Sequence, residues 1–319
     1  MADRQMSLAE AFLDPRMGAS GRLSKLAEVI DWGALEVLAG RVHRGETGRP
    51  PFAALAMLKA VYLQALYDLS DPGLEEALID RVSFRLFCGF GLERRTPDET
   101  TLCRFRNAAA AAGVLEAAFA DVNRQLEAKG LVVKKGTLID ATIVQAASRR
   151  PAVAAGPKAR LAREPGASFT RKGGKSYFGY RLHVGVDEGS GLVRRLALTP
   201  AHVNESLAAD ALICGDEAAV YGDKGYENKH RRGRLKKRRC KDRIMHRSHK
   251  NQPGLPRWQA RRNALIARRR APVEAVFGTL KRVHGRARVR FTSFAANLAD
   301  FLRQATVYNL RRAARLVAA

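Results

Sequence analysis

The sequence changes its period at Gly130, which limits the chain to a helical region followed by one built on β-strands. Ahead of that point, residues 52–67 form an apolar-rich run behind Pro50-Pro51, and residues 74–79 begin a second run after the turn Ser70-Asp71-Pro72-Gly73. Thr96-Pro97-Asp98-Glu99 combines an N-cap, a proline at the first helical position and a glutamate three after the cap, predicting a helix to about Ala112. Gly113 ends it, and residues 114–129 continue as another helix.

Beyond Gly130, residues 131–133 and 137–144 are rich in β-formers, while residues 145–174 lack a period and read as a long loop. Residues 176–186 and 192–199 predict a hairpin about the turn at 187–191, residues 205–214 a helix, and residues 217–223 a short strand. Pro272 stands near the start of a helix expected to reach His284, with Gly285 just past its end and Val273, Val276, Phe277 and Leu280 as its apolar stripe. A last helix is expected over residues 297–317. With 319 residues, the chain is long enough for two domains.

Three acids are placed at a cost. Asp140 stands inside the β-branched, apolar run 138–144, Asp223 ends another strand, and Glu274 is surrounded in sequence by bases. A carboxylate in apolar surroundings is tolerated when hydrogen-bonded, paired or bound to metal. Hard oxygen ligands without Cys or His nearby suit Mg2+ or Mn2+. Glu274, Gly278 and Lys281 are spaced i, i+4, i+7, so they share a helix face that glycine leaves open. A nucleic-acid backbone could lie there, with phosphates near Glu274 and on Lys281 and another within reach of Arg270. An ordinary ion pair between Arg270 and Glu274 is the alternative.

Charge points to the partner. Residues 229–290 hold 23 lysines and arginines against two acids, Asp242 and Glu274, and so supply +21 of the net +26. The run is internal and interleaved with Leu235, Ile244, Trp258, Ile266 and Phe277, unlike a disordered basic tail. Nucleic acid is the expected partner, with phosphate contacts dominating affinity. Arg104 and Arg106, read as facing outward, would suit a recognition helix in a major groove, although a plain bundle helix fits as well. Four scattered cysteines without a C-x-x-C pair, a polar start at residues 1–10 and no apolar membrane-length run lead us to expect a soluble protein of a reducing compartment. His246 and His249 near Cys240 lack the fourth ligand and spacing of a zinc site.

In order along the chain, LIDAT (138–142), YFGYRLH (177–183), TPAHVNES (199–206), YGDKGY (221–226) and RAPVEAVFGTLK (270–281) resemble the bacterial insertion-sequence DDE transposases, especially the IS-five group. Upstream, LSD (69–71), FRLF (84–87) and TPDETTLCRFR (96–106) resemble the helical N-terminal domain of that family. The resemblance implies an α/β fold, an RNase-H-like mixed sheet flanked by helices, preceded by an all-α N-terminal domain. The expected bounds are 1–130 for a DNA-binding and dimerisation domain and 131–319 for the catalytic domain, with a basic insertion at 224–270 and a C-terminal helix.

It further implies that Asp140, Asp223 and Glu274 are a catalytic triad holding two Mg2+ ions, with Mn2+ a possible substitute. Transposon ends would be cut, and the freed 3′-hydroxyl joined to target DNA. Arg270, Lys281, Arg282, Lys224, Arg104 and Arg106 become expected DNA contacts, and His183 a residue supporting the acids from behind. The implied partners are double-stranded DNA, at terminal inverted repeats and target sites, and a second copy of the chain in the active complex. The implied location is the cytoplasm, at the nucleoid. Ala267 departs from the family where many relatives carry tyrosine, and Asn204-Glu205 departs from an expected asparagine and aspartate. The competing readings are a non-catalytic DNA-binding derivative and a metal nuclease that does not join strands.

Overall fold

A computed structural model describes residues 21–42, 50–148, 164–248 and 254–318. They fall into two compact units, Met1–Leu126 with Leu310–Ala319, and Glu127–Asn309. The polar start at 1–10 and residues 149–163 of the expected loop lie outside the described residues.

The first unit is helical: α1 (Arg22–Val29), α2 (Trp32–Ala39), α3 (Ala54–Tyr67), α4 (Asp71–Asp80), α5 (Val82–Cys88), α6 (Glu99–Ala111) and α7 (Val114–Ala128). Helix α3 is buried nearly all round, with Leu58, Ala60, Leu63 and Ala65 fully shielded, which suits a run with almost no polar face. Ser70-Asp71-Pro72-Gly73 is the first turn of α4 rather than a preceding turn, since the Ser70 side chain caps Gly73 N and Pro72 needs no N–H there. Similarly, α6 is capped by Asp98, which accepts from Thr101 N at 2.7 Å, so Thr96-Pro97 lies outside the helix. Arg106 corrects an expectation: it is buried, ion-paired with Asp71 and donating to Gln64 Oε1 at 3.2 Å. The stripe Leu102, Phe105, Ala109 carries it inward, leaving no guanidinium to offer DNA.

The second unit is built on a mixed sheet of β1 (Thr137–Gln145), β2 (Ser168–Lys172), β3 (Lys175–Asp187), β4 (Val193–Pro200), β5 (Ala219–Gly222) and β6 (Lys241–Ile244). The long β3 pairs antiparallel with β1 along one edge and with β2 and then β4 along the other. Parallel pairing then adds β5 to β1 and β6 to β5. Helix α8 (Glu205–Leu212) covers one face and comes so close that a Cβ on Gly185 would lie 2.6 Å from the Leu212 carbonyl oxygen. Helix α10 (Arg257–Gly278) covers the other, and its stripe Val273, Val276, Phe277 and Leu280 is buried. The chain is thus a helical region followed by an RNase-H-like mixed sheet with flanking helices.

Several elements differ from expectation. Residues 131–133 form no strand, while the expected loop contains the edge strand β2. The expected insertion at 224–270 is partly framework: α9 (Lys229–Lys237) and β6 place Leu235 and Ile244 in one apolar cluster with Ile139, Leu212, Val220 and Tyr226. Pro272 lies inside α10, not near its start, because the Arg- and Ala-rich stretch ahead of it is itself helical. The helix then widens into a π turn over Thr279–Val283. The C-terminal helix α11 (Phe294–Val317) is divided, its residues from Leu310 counting with the first unit. Within α11, Asp300 is buried between Arg286 and Arg303. No helix among the described residues is long and apolar enough to cross a membrane, and all four cysteines are free.

Candidate catalytic site

Parallel pairing sets two of the three acids side by side. The register joins Leu138 to Tyr221, and Asp140 and Asp223 each stand two residues further on. Neighbouring strands lie about 4.8 Å apart, so Asp223, just past the carboxyl end of β5, stands beside Asp140, which lies within β1. Burial is the main cause that lifts the Asp140 carboxyl above its ordinary range; Arg270 opposes the lift and the Asp223 charge adds to it. Arg270 Nη2 lies 3.0 Å from Asp140 Oδ2, and Ala141 N donates to Oδ1 at 2.8 Å. Asp223 opens a 3-10 turn and accepts from Gly225 N at 2.8 Å.

A further carboxylate joins this pair. Glu205 sits in the first turn of α8, set there by the Asn204 cap, whose side chain accepts from Ser206 N at 2.9 Å. Its carboxyl is raised, mainly by burial and then by Asp223, against the pull of Arg181 at 3.2 Å. The helix was legible in the sequence, and Glu205's proximity to the aspartates was not.

Glu274 is exposed on α10, and its side chain makes no hydrogen bond or ion pair among the described residues. Residues on either side of it along the helix do reach β1. Arg270, one turn earlier, pairs with Asp140, which is why it does not pair with Glu274. Lys281, in the π turn, donates to Thr142 Oγ1 at 2.6 Å and to the Ile143 carbonyl at 2.9 Å. Burial, with help from Lys172, lowers the Lys281 pKa, and no carboxylate among the described residues pairs with it.

His183 differs from expectation. It pairs across the sheet with Ala141, not Asp140, and alternation along a strand puts it on the opposite face from Asp140. There it is buried, with Nε2 2.9 Å from Thr199 Oγ1, and burial pushes its pKa down to about 4. It fills the α8 face and does not support the acids. Of the remaining expected DNA contacts, Lys224, Arg282 and Arg104 are exposed.

Two other clusters are already satisfied or incomplete. Among the described residues, Cys214, Asp216 and Glu217 bring ligand atoms within 4.8 Å of one another. Asp216, however, is paired with Arg194 and Lys134, and Glu217 accepts from the Cys214 and Gly215 amides. The His246 ring meets Trp258 edge-on, and His249 lies outside the described residues.

Residues 133–310 match the family model described as a transposase DDE domain, and residues 11–108 match one described as a transposase domain (DUF772). No solved structure matches the chain.

Proposed function

The chain belongs to the DDE transposase family, and from that membership we propose that Asp140, Asp223 and Glu274 are the acids with which it cuts transposon ends and joins them to target DNA. The observation that carries this reading is the pair Asp140 and Asp223 on adjacent parallel strands, where burial raises the Asp140 carboxyl in spite of Arg270. The donor set fits a hard divalent cation, Mg2+ or Mn2+, because it is all carboxylate oxygen and buried enough to lack charge balance. When bound, such ions activate an attacking oxygen and stabilise a leaving one during displacement at phosphorus.

The chain's own residues do the rest. Arg270 holds the Asp140 carboxylate in place and supplies part of its countercharge. Glu274, exposed and unengaged, is available as the third ligand. Lys281, buried at its stem and anchored on β1, presents an uncompensated ammonium to a phosphate beside the scissile one. Lys224 and Arg282 flank the same residues in sequence and offer further phosphate contacts. Neither chemical step needs a protein nucleophile. Water serves in cleavage and the freed 3′-hydroxyl in joining, on terminal inverted repeats and target duplex brought together by two copies of an IS-five-like enzyme. The test is strand cleavage and the joining of a pre-cut donor end in Mg2+ by Asp140→Asn. Loss of both products supports the reading, and wild-type yields would sink it.

A further inference from the structure

Tyr226 is fully shielded from solvent, yet its hydroxyl finds no hydrogen-bond partner among the described residues. A buried hydroxyl without an acceptor costs about 1–3 kcal/mol, so its position calls for a reason. It lies within electrostatic reach of Asp140, Glu205 and Asp223 together. Gly225, next to it, shows how tightly two of these acids are drawn in. A Cβ there would stand 2.4 Å from Glu205 Oε1 and 3.0 Å from Asp223 Oδ1. The backbone of residue 225 therefore runs close to both carboxylates, and a larger residue there would have to push their side-chain ends aside. Against three acids the structure sets Arg270 on Asp140 and Arg181 on Glu205, with Lys172 acting on both from further off.

We infer that Glu205 is a fourth acid of this centre, completing with Asp140 and Asp223 a pocket for one divalent cation, with the Tyr226 hydroxyl donating to a carboxylate as the three close on the ion. Such closure gives the buried hydroxyl the acceptor it lacks. Arg181 is the countercharge that Glu205 exchanges for the cation. The inference rests on the proposed catalytic role of the aspartates and adds a ligand from α8.

The experiment is titration of the full-length protein with Mn2+ alone, following free Mn2+ by its electron paramagnetic resonance signal, so that no DNA or turnover enters the readout. Glu205→Gln is expected to weaken Mn2+ binding by at least about tenfold. Glu205→Asp, which keeps the charge, recovers part of that loss, and Tyr226→Phe loses less than Glu205→Gln. Circular dichroism melts of the metal-free proteins check folding, and Glu205→Asp carries the test if Glu205→Gln does not fold. Wild-type Mn2+ affinity in a folded Glu205→Gln protein with a lowered melting point overturns the inference, leaving Glu205 a partner of Arg181 only. Unchanged affinity in Tyr226→Phe removes the hydroxyl from the site. Asp140→Asn in the same titration separates the two claims. If it also binds Mn2+ normally, the catalytic reading itself has failed, whereas loss in Asp140→Asn with none in Glu205→Gln refutes the fourth acid alone.

Discussion

Asp140 and Asp300 are both carboxylates of the second unit, the first half-buried and the second fully buried, and they are treated in opposite ways. Asp300 lies between Arg286 and Arg303, whose side chains are as shielded as its own, and the two guanidiniums hold its carboxyl below the ordinary range despite burial. Asp140 has one arginine and a neighbouring aspartate, and burial wins, so its carboxyl rises. The first arrangement is closed: its charges are spent on one another, and it serves the fold. The second leaves negative charge unanswered beside the end of β5, which is how a site waiting for a cationic ligand differs from an ion pair in a core.

Exchange of each aspartate for asparagine gives the sharpest contrast. Asp140→Asn is expected to lower strand cleavage in Mg2+ by on the order of a thousandfold, since several kcal/mol of transition-state stabilisation depend on a metal ligand. Its metal-free unfolding free energy should change by only about 1 kcal/mol, because an undercompensated, partly exposed pair contributes little to stability. Asp300→Asn should reverse the pattern. Two buried guanidiniums lose their counterion, a loss of about 3–5 kcal/mol in urea unfolding, while cleavage by the fraction that stays folded is kept. An Asp300→Asn protein as stable as wild type would mean that the two environments do not differ as argued.

The same contrast explains what could be read from the sequence. Asp140 was legible because a carboxylate among Leu138, Ile139, Ile143 and Val144 is costly in any fold. That Asp223 is its neighbour depends on a parallel register between β1 and a four-residue β5, which no local pattern encodes. Strand β6 escaped because Lys-Asp-Arg-Ile reads as part of a basic run until pairing with β5 buries Ile244. Strand β2 escaped because an edge strand needs no apolar alternation. Arg106 was within reach: Leu102, Phe105 and Ala109 define a buried stripe, and position 106 belongs to it at i+4. Glu205 was not, because α8 lies over the other sheet face and only the folded chain brings its first turn to the aspartates.

His183 offers a weaker test, as a buried group with no opposite charge. Its folded pKa is near 4, below the unfolded value of about 6.5, so the unfolded chain binds the extra proton between those limits. Stability is therefore fully present above about pH 6.5 and is lost as pH falls towards 4, by about 3 kcal/mol for this group. The raised carboxyls of Asp140 and Glu205 act in the opposite sense, since the fold holds their protons more tightly than the unfolded chain does. The difference between wild type and His183→Gln isolates the histidine. In urea unfolding at pH 7 and pH 4.5, the wild type should lose more stability than the variant, and equal losses would show that His183 takes up its proton without cost.

Lys281 extends the comparison to cations. Arg124 is exposed but paired with Asp121, whereas Lys281 leans on a hydroxyl and a carbonyl that neutralise nothing. Binding to DNA releases counterions in proportion to the phosphates that protein charges neutralise, so the slope of log affinity against log salt counts such contacts. Lys281→Ala should make that slope shallower by about 0.9, the value for one phosphate on duplex DNA. Arg124→Ala removes the same formal charge, but one already answered by a carboxylate, and should leave the slope as it is. If the two substitutions shift it equally, overall charge governs binding, and the unneutralised Lys281 anchored on β1 has no special claim on the DNA backbone.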